Sequence, residues 1–312
     1  MYDIAIIGGG PAGCAAGVYA ARKLLKTILI TDTFGGQSIV SAEVQNWIGT
    51  EKISGEQLAK DLEAHARAYA GDVVDIAKGE WVEKIIPKED LSAQAGFFTV
   101  ATKSGKTFDA KTVLIATGGQ RRKLEVPGAA LFDQKGLTYC ASCDGPLFGG
   151  ADVAVIGGGN ACFETAAQLL AYAKSVTLLQ RGKEYAADPV TTASVLAHPS
   201  MRGILDAEIT EVFGDKFVKG LRYTEGGKEK TLDVTGIFVE IGLIPSTAFA
   251  EGVVEMDKFK RIITDPKDQR ASREGIWVAG DCTDGLYHQN NIAAGDAVRA
   301  LEDMFMYLSK KA

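Results

Sequence analysis

The chain has 312 residues, of which 46% are hydrophobic and 24% are charged. These values are typical of a globular protein, and the length suggests two ordinary domains. The formal net charge of −6 gives no support to a nucleic-acid or anionic-membrane surface. No run reaches the roughly 18 apolar residues of a transmembrane helix, so we expect neither nucleic acid nor a membrane as a partner.

The first predicted element is a strand that leads into a glycine loop and a helix. Residues 3–13 read DIAIIGGGPAG, and the apolar run lacks the basic flank of a signal peptide. We therefore expect a cytoplasmic protein. The helical stretch PAGCAAGVYAARK and a second apolar run, KTILITD at 26–32, complete a β-α-β unit.

Each glycine of this loop has a physical reason. Gly8 permits the tight turn, Gly10 lets the backbone approach a diphosphate, and Gly13 lets helix and strand pack closely. The diphosphate would lie at the helix N-terminus, where free N–H groups and the helix dipole favour an anion. Asp32 lies 22 residues beyond Gly10, loosely at the distance of the acid that binds a ribose.

The same pattern recurs in the middle of the chain. Residues 152–162 read DVAVIGGGNAC, followed by the helical stretch NACFETAAQLLAYAK and the apolar run SVTLLQR. Gly157 and Gly159 match the first two glycines, and Cys162 stands in the third position. One glycine motif is weak evidence, but two copies in β-α-β context predict two Rossmann-like dinucleotide-binding domains with parallel sheets. The predicted fold class is therefore α/β.

Further apolar runs and proline positions suggest how the two domains are connected. Three runs end abruptly at glycine: TVLIATGG (112–119), GIFVEIGLIP (236–245) and GIWVAGDCTDG (275–285). The last places Asp281 at the C-terminal end of a strand, where doubly wound sheets bind ligands. Proline marks pattern breaks in LEVPGAA (124–130) and GLIPST (242–247). We expect residues 118–244 to form a domain inserted into one formed by residues 1–117 and 245–312.

The segment YCASCDG at 139–145 allows three interpretations: half of a zinc site, a buried structural pair, or a redox dithiol. Zinc requires four ligands, and none of the three histidines lies at ligand spacing from Cys140 or Cys143, so we predict no metal. A CxxC near β-α-β units favours a redox dithiol. One thiol must then ionise to attack a disulfide. Asp144 is either the acid that protonates the leaving thiolate or an ordinary turn residue.

These motifs in combination resemble low-molecular-weight thioredoxin reductase. The likeness runs from residue 2 to about 308 and rests on GGGPAG, FGGQ (34–37), NWIG (46–49), ATG (116–118), YCASCDG, GGGN and GDC (280–282). A second likeness, in CDGPLFGG, GIFVEIGLIPST and GDCT, is to the flavoprotein subunit of alkyl hydroperoxide reductase. Because the flavin motif begins at residue 3, we expect the catalytic core of that subunit without its N-terminal thioredoxin-like folds.

The resemblance implies that the first domain binds FAD. Its predicted FAD-binding residues are Gly8, Gly10, Pro11, Ala12 and Gly13 at the diphosphate, Asp32 at the ribose, Gly35, Gly36, Gln37, Asn46, Thr117 and Gly118 along the cofactor, Asp281 at the ribityl chain, and His288 and Gln289 beside the isoalloxazine. The family usually carries Arg or Lys before this glutamine. His288 therefore changes the charge expected near the flavin.

For the second domain the resemblance implies that Cys143 faces the flavin, Cys140 attacks the substrate disulfide and Asp144 is the acid. The residues predicted to bind the nicotinamide cofactor are Gly157, Gly159, Asn160, Glu164, Gln180 and Arg181. The family also implies a homodimer, and a domain rotation that turns the dithiol from the flavin to a partner protein.

The choice between NADH and NADPH depends on residues 180–188, which read QRGKEYAAD. Family members that use NADPH carry His-Arg-Arg and a later Arg, whose guanidinium groups bind the 2′-phosphate. Here only Arg181 remains, with Lys183 nearby. We therefore predict NADH over NADPH, as the likeness to alkyl hydroperoxide reductase also implies.

The predicted function is an FAD-dependent disulfide reductase that passes electrons from NADH, through FAD and the dithiol, to a thioredoxin- or glutaredoxin-like protein. Three alternatives remain open. The first is an NADH oxidase in which the dithiol is incidental. The second is a related flavoprotein that takes electrons from ferredoxin or another donor, although the intact GGGNACFE at 157–164 argues against it. The third is a non-catalytic redox sensor or flavin-binding interaction protein.

Overall fold

The computed structural model describes residues 1–41, 43–88 and 97–311. The chain divides into two compact units, one formed by Met1–Gln120 with Ile244–Ala312 and the other by Arg121–Leu243. The second unit interrupts the first, and the predicted α/β class is confirmed. The cofactor that each unit binds stays a prediction.

The helices within the described residues are α1 (Pro11–Arg22), α2 (Gly55–Ala70), α3 (Ala141–Asp144), α4 (Asn160–Leu169), α5 (Pro189–Leu196) and α6 (Asn290–Lys311). In the part of the chain that the structure describes, no helix combines the length and apolar character needed to cross a membrane.

The strands, in chain order, are β1 (Tyr2–Gly9), β2 (Thr27–Phe34), β3 (Val74–Lys78), β4 (Val82–Lys88), β5 (Phe97–Thr102), β6 (Thr107–Ile115), β7 (Gly119–Arg121), β8 (Leu137–Thr138), β9 (Asp152–Ile156), β10 (Ser175–Leu179), β11 (Met201–Ile204), β12 (Ala207–Gly214), β13 (Val218–Glu225), β14 (Lys228–Asp233), β15 (Gly236–Val239), β16 (Leu243–Pro245) and β17 (Ile276–Val278). The chain leaves the first unit in β7 and returns in β16.

The first unit is built on a sheet with strand order β3-β2-β1-β6, with β17 also pairing β6. These pairs are parallel, whereas β4, β5 and the start of β6 form an antiparallel extension. Ile4 and Ile6 of β1 pack into the cluster that contains α1 and α6, while Ala5 and Ile7 pack on the opposite face. Burial on both faces explains the uninterrupted apolar run of this strand.

The second unit repeats this arrangement with a parallel sheet of order β11-β10-β9-β15-β8. Strands β12, β13 and β14 form a separate antiparallel sheet. α4 ends at Leu169, five residues before the end of the predicted helical stretch. The chain turns there because Tyr172 O accepts the N–H of Gly150 and the N–H of Lys174 donates to Ala151 O.

In both sheets the order of the parallel strands reverses beside the first strand, between β1 and β6 and between β9 and β15. Ligands of doubly wound sheets bind at this reversal, outside the carboxyl ends of the strands. The two glycine loops follow β1 and β9, so the fold places each of them at such a point.

Candidate active site and cofactor sites

The first glycine loop is shaped by three close approaches of the backbone. Gly8 has φ +119°, and a Cβ there would overlap the Ala116 carbonyl oxygen. A Cβ at Gly13 would overlap the carbonyl oxygen of Gly8. At Gly10 the nearest atom to a Cβ would be Gly36 Cα at 3.7 Å, so a side chain there would meet the adjoining cleft and not the protein. The loop thus needs glycine at positions 8 and 13 in order to fold, and the space beside Gly10 is open to a ligand.

A cleft of about 780 Å³ opens over this loop. Its lining includes ten of the predicted FAD-binding residues: Gly8, Gly10, Pro11, Ala12, Asp32, Gly36, Gln37, Thr117, Gly118 and Asp281. α1 begins in the cleft, and its first turn carries no acidic side chain to offset the positive end of the helix dipole. The volume lies within the range of small-molecule sites, and the glycine cradle suits a diphosphate.

Two hydrogen bonds join predicted site residues that are distant in sequence, and the first of them lies in the lining of the cleft. Gln37 Nε2 donates to Asp281 Oδ2 at 3.1 Å, and Asn46 Nδ2 donates to Gln289 Oε1 at 3.1 Å. His288 precedes Gln289, and its Nε2 is buried without a hydrogen-bond partner among the described residues. These contacts bring together predicted site residues that are more than 240 positions apart in sequence.

Gly35 differs from the other predicted FAD-binding glycines because its close contact is with a helix. Its φ is +97°, and a Cβ there would overlap the Cβ of Ala59 in α2. Gly13 likewise packs against the loop backbone and does not line the cleft. These two glycines therefore support the residues that line the cleft and do not line it themselves.

The lining of the cleft also includes Glu80–Glu83 and Lys103, which the sequence did not single out. Glu80 is buried and accepts from Lys106 Nζ at 2.7 Å and Ser104 Oγ at 2.6 Å. These hydrogen bonds lower the pKa of Glu80 to about 2. Trp81 beside it is 48% exposed, and Lys103 Nζ lies 5.4 Å from its ring centroid. A tryptophan directly before the first residue of β4 was the sequence signal for this part of the cleft.

The second glycine loop has a different third position. Gly157 has φ +136°, and a Cβ there would overlap both Glu240 O and the Cys162 sulfur. Cys162 Sγ donates to Glu240 O at 3.1 Å. A Cβ at Gly159, the residue before α4, would have no atom of the described residues beyond its chain neighbours within 4 Å. The thiol therefore fills the place of the third glycine while the ligand-facing position stays open.

The segment after β10 folds back onto this loop. The Gln180 carboxamide covers Gly158 and donates through Nε2 to Glu184 O at 3.2 Å. The N–H of Ala186 donates to Gly158 O, and the N–H of Asp188 donates to Asn160 Oδ1, both at 2.8 Å. This segment is thus tied to the predicted nucleotide loop by backbone donors.

The two cations of this segment, Arg181 and Lys183, are exposed. Neither forms an ion pair with any residue that the structure describes. Glu164, predicted to lie near the nicotinamide, is also exposed and occupies the fifth position of α4.

Glu240 is a buried acid that sequence analysis missed. It follows β15, and its side chain is 6% exposed. Its Oε2 accepts from Arg121 Nη1 at 2.8 Å, and its Oε1 accepts from Thr165 Oγ1 at 3.1 Å. Burial raises the pKa of Glu240, and the Arg121 guanidinium opposes that shift. An acid that ends a fully apolar run was the sequence signal for this site.

The CxxC pair is a disulfide. Cys140 and Cys143 are bonded through sulfur, with a Cα–Cα distance of 5.3 Å, and both are partly buried around α3. In this state neither sulfur can act as a zinc ligand. Within the described part of the chain, no three or more His, Cys, Asp or Glu side chains are grouped so as to hold a metal ion.

Asp144 lies at the end of α3 and is tied to the pair. Its N–H donates to Cys140 O at 3.0 Å, and its Oδ2 accepts from the hydroxyl of Thr138. Burial raises the pKa of Asp144, and the hydrogen bond from Thr138 opposes that shift. A carboxyl whose pKa is raised keeps its proton to a higher pH than an ordinary aspartate, which suits it to act as an acid in thiol chemistry. Sequence analysis missed Thr138, which stands at the end of a buried strand just before the pair.

The three other cysteines differ from this pair. Burial raises the pKa of Cys14 to about 12, of Cys162 to about 12 and of Cys282 to about 11. Cys14 Sγ donates to Gly9 O and Cys282 Sγ to Ala279 O, each at 3.4 Å. Such thiols stay protonated and are poor nucleophiles.

Comparison with characterised proteins shows two sets of relatives. One alkyl hydroperoxide reductase subunit, that of Escherichia coli (strain K12), is 40% identical over 310 residues, which cover 98% of this chain and 58% of that protein. NADH dehydrogenase of Bacillus subtilis (strain 168) is 38% identical over 309 residues, again 98% of this chain and 58% of that protein. The chain thus spans little more than half the length of these relatives.

Solved structures match the chain from end to end. Thioredoxin reductase of Streptococcus pyogenes MGAS5005 has a TM-score of 0.88 at 32% identity, and that of Giardia duodenalis has 0.90 at 31%. Each alignment covers 99% of both chains. They confirm the predicted resemblance and the predicted oxidoreductase class. Residues 2–297 match the model for pyridine nucleotide-disulphide oxidoreductases, and the chain belongs to that family, which implies FAD and NAD(P)H as its cofactors.

Proposed function

We propose that this protein is an FAD-dependent disulfide reductase that passes electrons from NADH, through FAD and the Cys140–Cys143 pair, to a thioredoxin- or glutaredoxin-like protein. The observation that carries the proposal is the presence, in one chain, of two glycine cradles on parallel sheets and a CxxC disulfide beside a partly buried acid. The names of the relatives, one a component of a hydroperoxide reductase and the other an NADH dehydrogenase, support the same class of electron transfer.

The residues of the first cleft fit FAD. Gly10 and the N-terminus of α1 would hold the diphosphate, and Asp32 would bind the ribose of the adenosine. Because Gly10 and Asp32 place the diphosphate and the ribose in this order, the adenine ring would lie beyond Asp32, where the indole of Trp81 is exposed. Gln37 and Asp281 would face the other half of the cofactor. When bound, FAD supplies the two-electron chemistry that links a nicotinamide to a disulfide.

The dithiol chemistry follows from the side chains around α3. In the reduced enzyme the Cys140 thiolate attacks one sulfur of the partner's disulfide, that bond breaks, and the leaving sulfur takes the proton of Asp144. Cys143 then attacks Cys140 Sγ, and its proton goes to the second partner sulfur as the mixed disulfide breaks. The enzyme loses two electrons and re-forms the Cys140–Cys143 bond, and the partner gains two electrons and two protons.

The preference for NADH rests on the segment after β10. Gln180 is neutral and occupied with Glu184 O, and Gly182 and Ala186 provide no side-chain donor for a 2′-phosphate. Arg181 alone cannot reproduce a cluster of guanidinium groups around that phosphate.

We also infer a homodimer, which rests on the family resemblance alone. Sedimentation of the purified holoenzyme tests it, with an expected mass of twice the 33.1 kDa chain. A single-chain mass at micromolar concentration would contradict it.

The first experiment mixes the oxidised flavoprotein anaerobically with NADH, and separately with NADPH, and follows the loss of flavin absorbance. Fast bleaching by NADH, at least about tenfold faster than by NADPH, is expected because the 2′-phosphate finds no guanidinium cluster. Equal or faster bleaching by NADPH would contradict the cofactor assignment, and slow bleaching by both would favour another donor.

A matched pair of variants sharpens this result. The double variant Gly182→Arg with Ala186→Arg should raise the rate with NADPH, while Gly182→Ala with Ala186→Gly should not. A Cβ at Gly182 would lie 3.3 Å from Gln180 Nε2, a tight contact that a shift of a few tenths of an ångström in this side chain relieves.

A further inference from the structure

Thr138 joins the two ends of the redox segment through one hydroxyl group. It is the last residue of β8 and is 4% exposed. Its Oγ1 donates to Asp144 Oδ2 and accepts from the N–H of Cys140 at 3.4 Å. The hydroxyl thus contacts both Cys140, through its backbone N–H, and Asp144, the acid that follows Cys143.

The direction of these hydrogen bonds has a chemical consequence. A hydroxyl has one proton to donate and two lone pairs to accept with. The Cys140 N–H occupies one lone pair of Oγ1, and the hydroxyl proton is donated to Asp144 Oδ2, which as a carboxylate can only accept. A donated hydrogen bond favours the ionised carboxylate, whereas burial favours the protonated form. The hydroxyl therefore lowers the pKa of Asp144, whereas burial raises it.

The surroundings of Asp144 contain few other charges. β8, α3 and the turn at 145–148 carry no further charged side chain, and α4 carries only Glu164, which is exposed. The ring of Tyr172 lies against Gly145, and the Cys140–Cys143 disulfide lies next in the chain. Burial and the Thr138 hydroxyl are thus the influences that act on this carboxyl.

We propose that Thr138 is a positioning residue for the dithiol reaction: its hydroxyl holds the Asp144 carboxyl beside the pair and sets the pH range over which that carboxyl gives up its proton. This inference rests on the proposed function, in which Asp144 protonates the leaving sulfur. After donation the carboxylate keeps the hydrogen bond from Thr138, so its negative charge is met by a donor that is already in place.

The sign of the effect can be worked out. The step needs Asp144 protonated, so its rate falls as the pH rises through the pKa of that group. Loss of the Thr138 hydroxyl removes a bond to the ionised form, which raises this pKa. The alkaline limb of the pH profile then moves to higher pH, by about one unit for one hydroxyl donor.

The test uses the holoenzyme reduced with dithiothreitol, freed of that reagent, and mixed anaerobically with bis(2-hydroxyethyl) disulfide across a pH series. This alkyl disulfide is chosen because its leaving thiolate is basic and needs a proton. The reaction is quenched with a maleimide, which adds to free thiols, and the mass of the protein is measured by mass spectrometry. The number of maleimide groups reports oxidation of the dithiol directly, without any nicotinamide cofactor.

Thr138→Val should shift the alkaline limb upward by about one pH unit, Thr138→Ser should restore the wild-type limb, and Asp144→Asn should lack that limb. If Thr138→Val does not fold, Thr138→Ala makes the same test. A limb that coincides with the wild type in the variant without the hydroxyl would overturn the proposal, even if the rate were lower at every pH. A wild-type profile without an alkaline limb would also overturn it, while flavin bleaching by NADH would still support the proposed function.

Discussion

The two glycine loops are near copies in sequence, yet they solve the contact between strand and helix in different ways. In the first loop, Gly13 lies so close to Gly8 O that no side chain fits between them. In the second, Cys162 occupies the corresponding position and its sulfur donates to Glu240 O at 3.1 Å. The opening glycines, Gly8 and Gly157, are equivalent in both, with positive φ and a carbonyl oxygen where a Cβ would be.

The difference separates two roles that a glycine motif combines. The first glycine is required by the turn and the middle glycine by the space for a ligand, and both loops have glycine at these two positions. The third answers only to packing between helix and strand, and a small thiol that hydrogen-bonds to a backbone carbonyl meets that need equally well. A loop that lacks the third glycine is therefore still a candidate nucleotide site.

The largest expected effect comes from removing the redox disulfide of the second unit, a change that should not affect FAD binding by the first unit. Cys143→Ser should lower NADH-dependent reduction of a bacterial thioredoxin at least about 10³-fold, because the disulfide can no longer form. FAD content should match the wild type, since the cleft lies in the other unit. Retention of most of the activity would exclude the dithiol from the electron path and favour the oxidase alternative.

The next prediction compares the free energy of unfolding of variants at Gly13 and at Cys162, the third motif position of each loop. Gly13→Ala should lower the free energy of unfolding by about 3 kcal/mol or more, because its Cβ overlaps rigid backbone. Cys162→Ala should cost about 1 kcal/mol, the loss of one thiol and its hydrogen bond. Urea denaturation of both variants measures the contrast, and equal costs would show that the two loops pack alike.

The middle glycines test which cofactor each loop holds. A Cβ at Gly10 or Gly159 would meet no described protein atom closer than 3.7 Å, so both alanine variants should fold. Gly10→Ala should weaken FAD binding, and Gly159→Ala should raise KM for NADH, each by roughly tenfold, because the methyl group occupies ligand space. Flavin fluorescence and steady-state kinetics report the two values. Crossed effects would mean that the cofactors are assigned to the wrong loops.

The smallest effect concerns the tryptophan in the lining of the first cleft. Trp81→Ala should weaken FAD binding by about fivefold, or about 1 kcal/mol, which is the lower end of the contribution of a base stacked on an aromatic ring. Trp81→Phe should keep most of the affinity and serves as the matched control. ADP should quench tryptophan fluorescence in the apoprotein of the wild type and not in either variant, and quenching that survives in Trp81→Phe would count against this placement of the adenine ring.

Several contacts of the candidate site could be predicted from sequence only in part. The pair Cys140–Cys143 was predicted from a CxxC near β-α-β units, and Asp144 because it directly follows Cys143. Thr138 was missed although it lies only six residues from Asp144. Serine and threonine at strand ends are common, and nothing in a one-dimensional pattern shows which way a hydroxyl points.

The sequence by itself determined the local units: a strand, a glycine turn and a helix, twice over, and a dithiol between them. Local conformation suffices for these, because apolar periodicity and the freedom of glycine act over a few residues. Only the tertiary structure decided which distant groups meet, such as Gln37 with Asp281 and Glu240 with Thr165. Those meetings depend on the strand order of each sheet, which is set by the packing of whole elements and leaves no mark in the residues on either side.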